Sequence, residues 1–258
     1  MIPYFSIEFF KIGPFTFYIW GFFIALAFLV ALALAIWQSR KIGIEAKRII
    51  YLAIFIYLGA MVGARLFFIL QWPTEFFVDP LMFFRINEGG MMFYGGLFGG
   101  VLAGWLYMRK WENRWALISA LTPVIPLTLA IGRIACFLSN DHMGAITNLP
   151  WAIRWPSGTL RQPVALYLIL FDLALAGFLW WYSKKTKWSG QVFFIFLILY
   201  GAGRFLLDFT RDFSADPHYL GLAVSQWISA LLLTIVVIYY IIHKSKFSLF
   251  SKNPNSQF

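Results

Sequence analysis

The sequence predicts an all-α polytopic membrane protein with seven transmembrane helices, its N-terminus outside and its C-terminus cytoplasmic. Three observations predict it. The 258 residues are 61% hydrophobic and 21% aromatic but only 12% charged, with a mean hydropathy of +0.74, more apolar surface than one soluble core can hide. The apolar residues fall in seven continuous runs near the length a bilayer requires, at 15–37, 48–71, 91–109, 115–138, 163–182, 190–208 and 222–242. A membrane β-barrel would instead show ten-residue alternating segments. The basic residues are placed asymmetrically between those runs.

Arg40, Lys41, Lys47 and Arg48 follow the first run, Arg109, Lys110 and Arg114 the third, Lys184, Lys185 and Lys187 the fifth, and Lys244, Lys246 and Lys252 the seventh. The alternate loops hold most of the acids, Glu75, Asp79, Glu88, Asp141, Asp212 and Asp216. By the positive-inside rule the odd-numbered runs end in the cytoplasm. The net charge of +10 is then topogenic, and nucleic acid is not an expected partner.

The N-terminal MIPYFSIEFFKIGPF lacks the basic start and cleavage site of a secretory signal. A full span follows it directly, so it is expected to lie as a short amphipathic segment on the outer surface. Cytoplasmic connections are short, and the long loops, 72–90, 139–162 and 209–221, are outer ones. The loop DHMGAITNLPWAIRWPSGTLRQP is punctuated by Gly144, Pro150, Pro156, Gly158 and Pro163. Trp151 and Trp155 suit the headgroup layer. Residues 139–162 are therefore expected to form a small outer cap, and 247–258 a mobile cytoplasmic tail, on a single membrane domain spanning 1–258. Cys136 is the only cysteine, and His142, His218 and His243 lack ligand spacing, so no disulfide, metal or cofactor is expected. No internal repeat is visible, which weighs against a transporter built from inverted repeats.

Charge inside the apolar runs is the main functional signal. Arg65 in GARLFFIL, Arg133 in IGRIACF and Arg204 in YGAGRFLLDF lie within or at the outer edge of a span. An arginine at mid-helix costs about 2.5–3.5 kcal/mol on insertion scales. Snorkelling, or pairing of Arg204 with Asp208 four residues on, accounts for one such residue. Three, each near a glycine, favour a function. A guanidinium is a planar, permanently charged fork suited to phosphate, and Arg133 and Arg204 fall at about headgroup depth. An outward-facing phospholipid phosphate site is the simplest inference.

Other residues have plainer alternatives. In MMFYGGLFGG, Gly95, Gly96, Gly99 and Gly100 read first as a helix-packing face, with Tyr94 beside them as a donor to a headgroup oxygen. In RQPVALY, Arg161 and Gln162 read as interfacial anchors before Pro163 in the first turn of the fifth span. Asp141 and His142 are the adjacent acid and imidazole of the outer side; a loop histidine is usually only solvated, though it titrates in the range of a general base.

Taken in order, these motifs resemble those of the prolipoprotein diacylglyceryl transferases. GRIACFLSNDHMG is similar to the family signature G-R-I-G-N-F-x-N-x-E-x-x-G, YGGLFGG to H-G-G-L, RQPVALY to R-H-P-x-Q-L-Y-E and YGAGRFLLDFTR to Y-G-x-x-R-F-x-x-E-F-x-R. GARLFF and GLAVSQWIS, which carries Gln226, resemble the second-span and last-helix motifs, so the likeness runs from the second span to the seventh. The resemblance implies transfer of the diacylglyceryl group of phosphatidylglycerol to the lipobox cysteine thiol of a prolipoprotein signal peptide. Glycerol 1-phosphate would be released at the outer face of the cytoplasmic (inner) membrane. It implies Arg133, Arg204, Tyr94, Asp141 and His142 as catalytic positions. Tyr200, Asp208, Gly144, Gly95, Gly96, Arg65, Arg161 and Gln226 would join the two arginines in holding substrate.

Departures from the pattern are specific. Tyr94 stands for the family histidine, Cys136 for the signature asparagine, and Asp141 and Asp208 for glutamates. The early tyrosine is Trp20, and H-P-x-Q-L-Y-E is altered at Gln162, Ala165 and Leu168. A neutral phenol, with a pKa of about 10, is a poorer base than imidazole. Either Tyr94 only positions lipid while His142 or the arginine field assists the thiol, or the chain is an inactive paralogue that binds phospholipid headgroups. The retained Arg133, Arg204, Gly144 and acid at 141 favour the enzyme. Cys136, in apolar surroundings, reads as packing rather than nucleophile.

Overall fold

The computed structural model describes residues 1–85, 90–186, 190–212 and 218–250, with side chains except at Met82, His218 and 240–250. Glu88, Lys187, Asp216 and Lys252 from the charge argument, and 251–258 of the expected tail, lie outside the described residues. Five helical stretches are long and apolar enough to cross a membrane: Ile19–Lys41, Ala46–Gln71, Arg114–Ser139, Val164–Ser183 and Gln191–Thr210. Phe93–Met108 and Val224–Tyr239 are shorter apolar helices at the third and seventh expected spans. The chain is a mostly helical, multi-pass membrane protein. It divides into two compact units, Ala35–Arg114 and Met1–Leu34 with Trp115–Phe258.

Helix α1 (Ile19–Lys41) contributes to both. Its large side chains, among them Trp20, Phe22, Ile24 and Leu29, are exposed, as suits a helix facing lipid. Arg40 and Lys41 occupy its last turn, where cations complement the helix dipole. Gly43, at φ +73°, turns the chain so that the amides of Ile42 and Ile44 return to the carbonyl of Ser39.

In the Ala35–Arg114 unit, α2 (Ala46–Gln71) packs along α4 (Phe93–Met108), with the short α3 (Pro73–Val78) and a 3-10 turn at Pro80–Phe84 between them. Glycines set this packing distance. A Cβ at Gly59 would meet the Gly99 carbonyl oxygen at 2.6 Å, and one at Gly99 the Gly63 Cα at 2.9 Å. The backbones therefore touch, as small residues allow between membrane helices.

In the other unit the fourth apolar run is broken into α5 (Arg114–Leu121) and α6 (Val124–Ser139). Pro123 and Pro126 remove two amide donors, and the Thr122 hydroxyl donates to the Ile118 carbonyl at 2.7 Å at the break. Helix α6 packs on α7 (Val164–Ser183), α7 on α8 (Gln191–Leu207), and α8 on α9 (Val224–Phe250). Leu175, Leu179, Val192 and Phe196 form a buried cluster between α7 and α8. Because α9 continues to Phe250, residues 247–250 are helical.

The N-terminal segment, expected only to be short and amphipathic, is built of strands. β1 (Ile2–Pro3) runs parallel to β4 (Ile153–Arg154), which pairs antiparallel with β5 (Leu160–Arg161). β2 (Phe9–Ile12) and β3 (Phe15–Tyr18) form a hairpin around Gly13 at φ +58°, so the first helix starts at Ile19 rather than at 15. Aromatic residues here favour paired strands over a lone surface helix. The amide of Ile7 donates to the Leu138 carbonyl at 2.8 Å, and the Ser6 hydroxyl to the Ser139 carbonyl at 3.0 Å. The N-terminus is thereby stitched to the end of α6. A last hairpin, β6 (His218–Tyr219) with β7 (Leu222–Ala223), turns through Leu220 and Gly221, both at positive φ, the pattern of a type I′ turn.

Candidate active site

Helices α6 and α7 meet the 140–163 segment at one end of their unit, and the chemistry-bearing residues gather there. Asn140, in the left-handed conformation at φ 50°, ends α6 and turns the chain into the cap. Residues 143–146 then pass between two neighbours as an extended segment. The amide of Ala145 donates to the Thr210 carbonyl at 2.9 Å, that of Asp212 to the Met143 carbonyl at 3.0 Å, and that of Gln162 to the Ala145 carbonyl at 3.0 Å. At Gly144 the backbones come so close that a Cβ would collide with the Gln162 carbonyl and lie 3.0 Å from its nitrogen. The signature glycine is there because nothing larger fits.

Two arginines stand below this cap. Arg133 lies six residues, about 9 Å, before the end of α6, and Arg204 three residues, about 5 Å, before the end of α8. They interact electrostatically with each other, like charges held together inside one unit. Arg204 forms an ion pair at 2.9 Å with Asp208, whose side chain is fully buried; Arg211 approaches the same carboxylate at 4.0 Å. The pair is angled, so that neither Asp208 oxygen and not Nη1 of Arg204 makes a well-formed hydrogen bond among the described residues. A buried guanidinium with an uncommitted nitrogen is ready for another anion.

Arg133 reaches the loop beyond its helix. Its Nη1 is 3.2 Å from Nε2 of His142 and 3.8 Å from Sγ of Cys136. Nδ1 of His142 lies 2.5 Å from Oδ1 of Asp141. A guanidinium has only donors, so Nε2 accepts from Arg133, and the ring proton sits on Nδ1, donated to Asp141. The arrangement is an acid–imidazole–arginine chain of contacts, with the buried Cys136 at its arginine end.

Sequence spacing hid one feature of this corner: donor atoms of Cys136, Asp141 and His142 lie within 4.8 Å of one another, the makings of a metal site. Here a permanent cation, the Arg133 guanidinium, already contacts the sulfur and the imidazole. The donor set thus fits arginine and opposes a second positive charge.

The remaining predicted residues divide by what holds them. Tyr200 lies one turn before Arg204 and shares the electrostatic environment of both arginines, its ring 5.4 Å from that of Phe196. Arg161 donates to the Gly144 carbonyl at 3.0 Å and forms an ion pair with Asp212, tying β5 to the segment after α8. Gln226 is fully buried, accepting from the Ala223 amide at 2.9 Å and donating to the Phe205 carbonyl at 3.2 Å. Both ends of its amide are committed to backbone.

In the Ala35–Arg114 unit, Arg65 is 3% exposed and directs its guanidinium at backbone carbonyls, those of Phe83 at 3.2 Å, Gly90 at 2.8 Å and Arg85. Its position is that of a bracket for the segment after α3. A Cβ at Gly95 would strike Gly63 and Phe67, whereas Gly96 makes only ordinary contacts at 3.4 Å. Tyr94, at the start of α4, is 42% exposed. A cavity of about 440 Å³ at the opposite end of α4, lined by Arg48, Tyr107, Lys110 and Trp111, contains none of the motif residues.

Sequence reading missed Asp172, in the middle of α7. It is 2% exposed, its Oδ1 has no hydrogen-bond partner among the described residues, and it interacts electrostatically with Arg133 and Arg204. Its signal was available: an acid in the apolar run 163–182 is expensive by the same rule that marked the arginines.

Residues 8–242 match the sequence profile of the family described as prolipoprotein diacylglyceryl transferase. The chain is similar to the phosphatidylglycerol–prolipoprotein diacylglyceryl transferase of Bordetella bronchiseptica, 34% identical over 233 residues, 85% of this chain and 88% of the relative. It is also similar to the enzyme of that name from Coxiella burnetii, 33% identical over 227 residues, 85% and 86% of the two chains. That from Idiomarina loihiensis is 32% identical over 240 residues, 86% and 90%. Likeness of this extent, over the spans that carry the arginines and the cap, means that the chain belongs to the prolipoprotein diacylglyceryl transferase family.

Proposed function

We propose that the chain transfers the diacylglyceryl group of phosphatidylglycerol to the lipobox cysteine thiol of a prolipoprotein signal peptide, releasing glycerol 1-phosphate. The observation that carries this reading is the convergence of Arg133 and Arg204, with an uncommitted guanidinium nitrogen, below a cap that presents His142. The phosphodiester binds between the arginines. The thiol sulfur attacks the lipid glycerol carbon that carries the phosphate, the C–O bond breaks, and its electron pair goes to the phosphate oxygen. Charge growing on that oxygen is what the two guanidiniums stabilise. The thiol must shed a proton, having an ordinary pKa of about 8.5. When the phosphate draws Arg133 away from His142, Nε2 becomes an open acceptor for that proton, and Asp141 steadies the ring.

In this reading the chain works as one membrane-embedded transferase. It crosses the cytoplasmic (inner) membrane seven times, counting α4 and α9, with the N-terminus outside, the C-terminus inside and the cap on the outer face, as the basic loops support. Tyr200 and Asp208 set the arginine pair, while Gly144, Arg161 and Gln226 shape the cap and helix ends around it. Tyr94, Gly95 and Gly96 are assigned to the lipid on the family motif alone.

A second reading, a headgroup-binding paralogue without activity, is favoured by one pair of residues: Tyr94 and Cys136, where the family pattern has histidine and asparagine. Purified protein mixed with phosphatidylglycerol and a lipobox peptide separates the two. Lipidated peptide and glycerol phosphate support the enzyme, and lipid binding with neither product supports the paralogue.

A further inference from the structure

Asp172 has no part in the chemistry above, yet it is almost fully buried in the middle of α7. It lies eight residues, about 12 Å, into α7 from the end that meets the 140–163 segment. A carboxylate in the middle of an apolar helix is a functional residue by default, with its partners to be named. Here they are named: Arg133 from α6 and Arg204 from α8 both interact with it electrostatically, and so does Tyr200. It is nevertheless not locked in a hydrogen-bonded pair, since Oδ1 is unpartnered among the described residues.

The charge count around Arg204 gives Asp172 a task. Arg133, Arg204 and Arg211 supply three positive charges, Asp208 a negative one, and Asp172, when ionised, a second. The remaining single positive charge matches a phosphodiester monoanion. A phosphate monoester, the leaving product of the proposed reaction, carries up to two negative charges and would be overbound by the same arginines in a site of low dielectric. A fixed carboxylate nearby opposes that overbinding. Asp208 is already ion-paired with Arg204 at 2.9 Å, whereas Oδ1 of Asp172 has no hydrogen-bond partner among the described residues.

We propose that Asp172 is the internal counter-ion of the arginine pair: it holds Arg133 and Arg204 together in the empty site and, by repelling bound phosphate, hastens release of the phosphate-bearing product. It is a positioning residue, acting through the arginines. The proposal rests on the phosphate-clamp reading of the site.

The test uses the full chain in nanodiscs and three readouts: binding of phosphatidylglycerol, inhibition of transfer by glycerol 1-phosphate, and kcat and KM for phosphatidylglycerol. Inorganic phosphate serves as a second ligand, to distinguish a site for free phosphate from one for the lipid. Asp172→Asn keeps the shape and removes the charge. It is expected to bind phosphatidylglycerol and glycerol phosphate about tenfold more tightly, with KM and kcat both falling. Asp172→Glu restores the charge and is expected to return all three readouts toward the wild type. If Asp172→Asn does not insert folded, Asp172→Ser takes its place under the same criteria. Unchanged or weaker binding of both anions in a folded neutral variant would overturn the proposal, as would a glutamate variant that behaves like asparagine. If the wild type shows no transfer while the neutral variant still tightens phosphatidylglycerol binding, the transferase reading fails and the counter-ion stands.

Discussion

Arg133 donates from Nη1 to Nε2 of His142 across 3.2 Å, and this contact joins α6 to the loop that follows it. Since guanidinium cannot accept, the imidazole lone pair is occupied for as long as Arg133 faces the loop. An anion that competes for Arg133 uncovers it. In the proposed mechanism base and phosphate site are therefore one device, in which acceptance of the thiol proton depends on lipid being bound.

His142→Gln should lower kcat by about 10²-fold, the usual worth of a positioned base, with KM for phosphatidylglycerol little changed. Asp141→Asn should cost less, because its amide oxygen still accepts from Nδ1. Steady-state kinetics on the two variants check the order. An active His142→Gln enzyme would move the proton to another group.

Gly144→Ala should destabilise the protein by about 1–3 kcal/mol, the range for forcing a methyl group into a filled space. The cause is the collision with Gln162, which pushes the cap segment off its partners on either side. Thermal unfolding in detergent measures the loss. An alanine variant as stable as the wild type would show that the cap relaxes without cost.

Gln226→Leu should also destabilise, by about 1–3 kcal/mol, because it orphans the buried Ala223 amide and removes a donor from the Phe205 carbonyl. Transfer per folded molecule should stay near the wild-type rate. A selective fall in kcat without lost stability would return Gln226 to the substrate, where the family motif places it.

Much of this organisation is readable in the sequence, for stated physical reasons. Long apolar runs can do little else than span or pack, so most helices fall close to their expected positions, and the arginine rule finds Arg133 and Arg204. The same rule applies to Asp172, which lies outside the RQPVALY motif that carries Arg161 and Gln162. Strands β1 to β3 are hidden because a short aromatic segment has no periodicity that marks a strand; β1 is fixed by pairing with the distant Ile153–Arg154, and β2 and β3 by pairing with each other. Arg65 shows the opposite limit. Its cost in an apolar run is real, yet carbonyls of its own unit occupy it, and only coordinates distinguish a backbone bracket from a phosphate ligand.

The most direct measurement of the central claim compares wild type, Arg133→Lys and Arg204→Lys in the same purified assay with phosphatidylglycerol and a lipobox peptide. Lysine keeps the charge but loses the fork that holds a phosphate and, at 133, the reach to His142. The account predicts lipidated peptide from the wild type and a loss of about 10²-fold or more in each folded variant, the usual consequence of removing a transition-state donor. Full transfer by either lysine variant would contradict it.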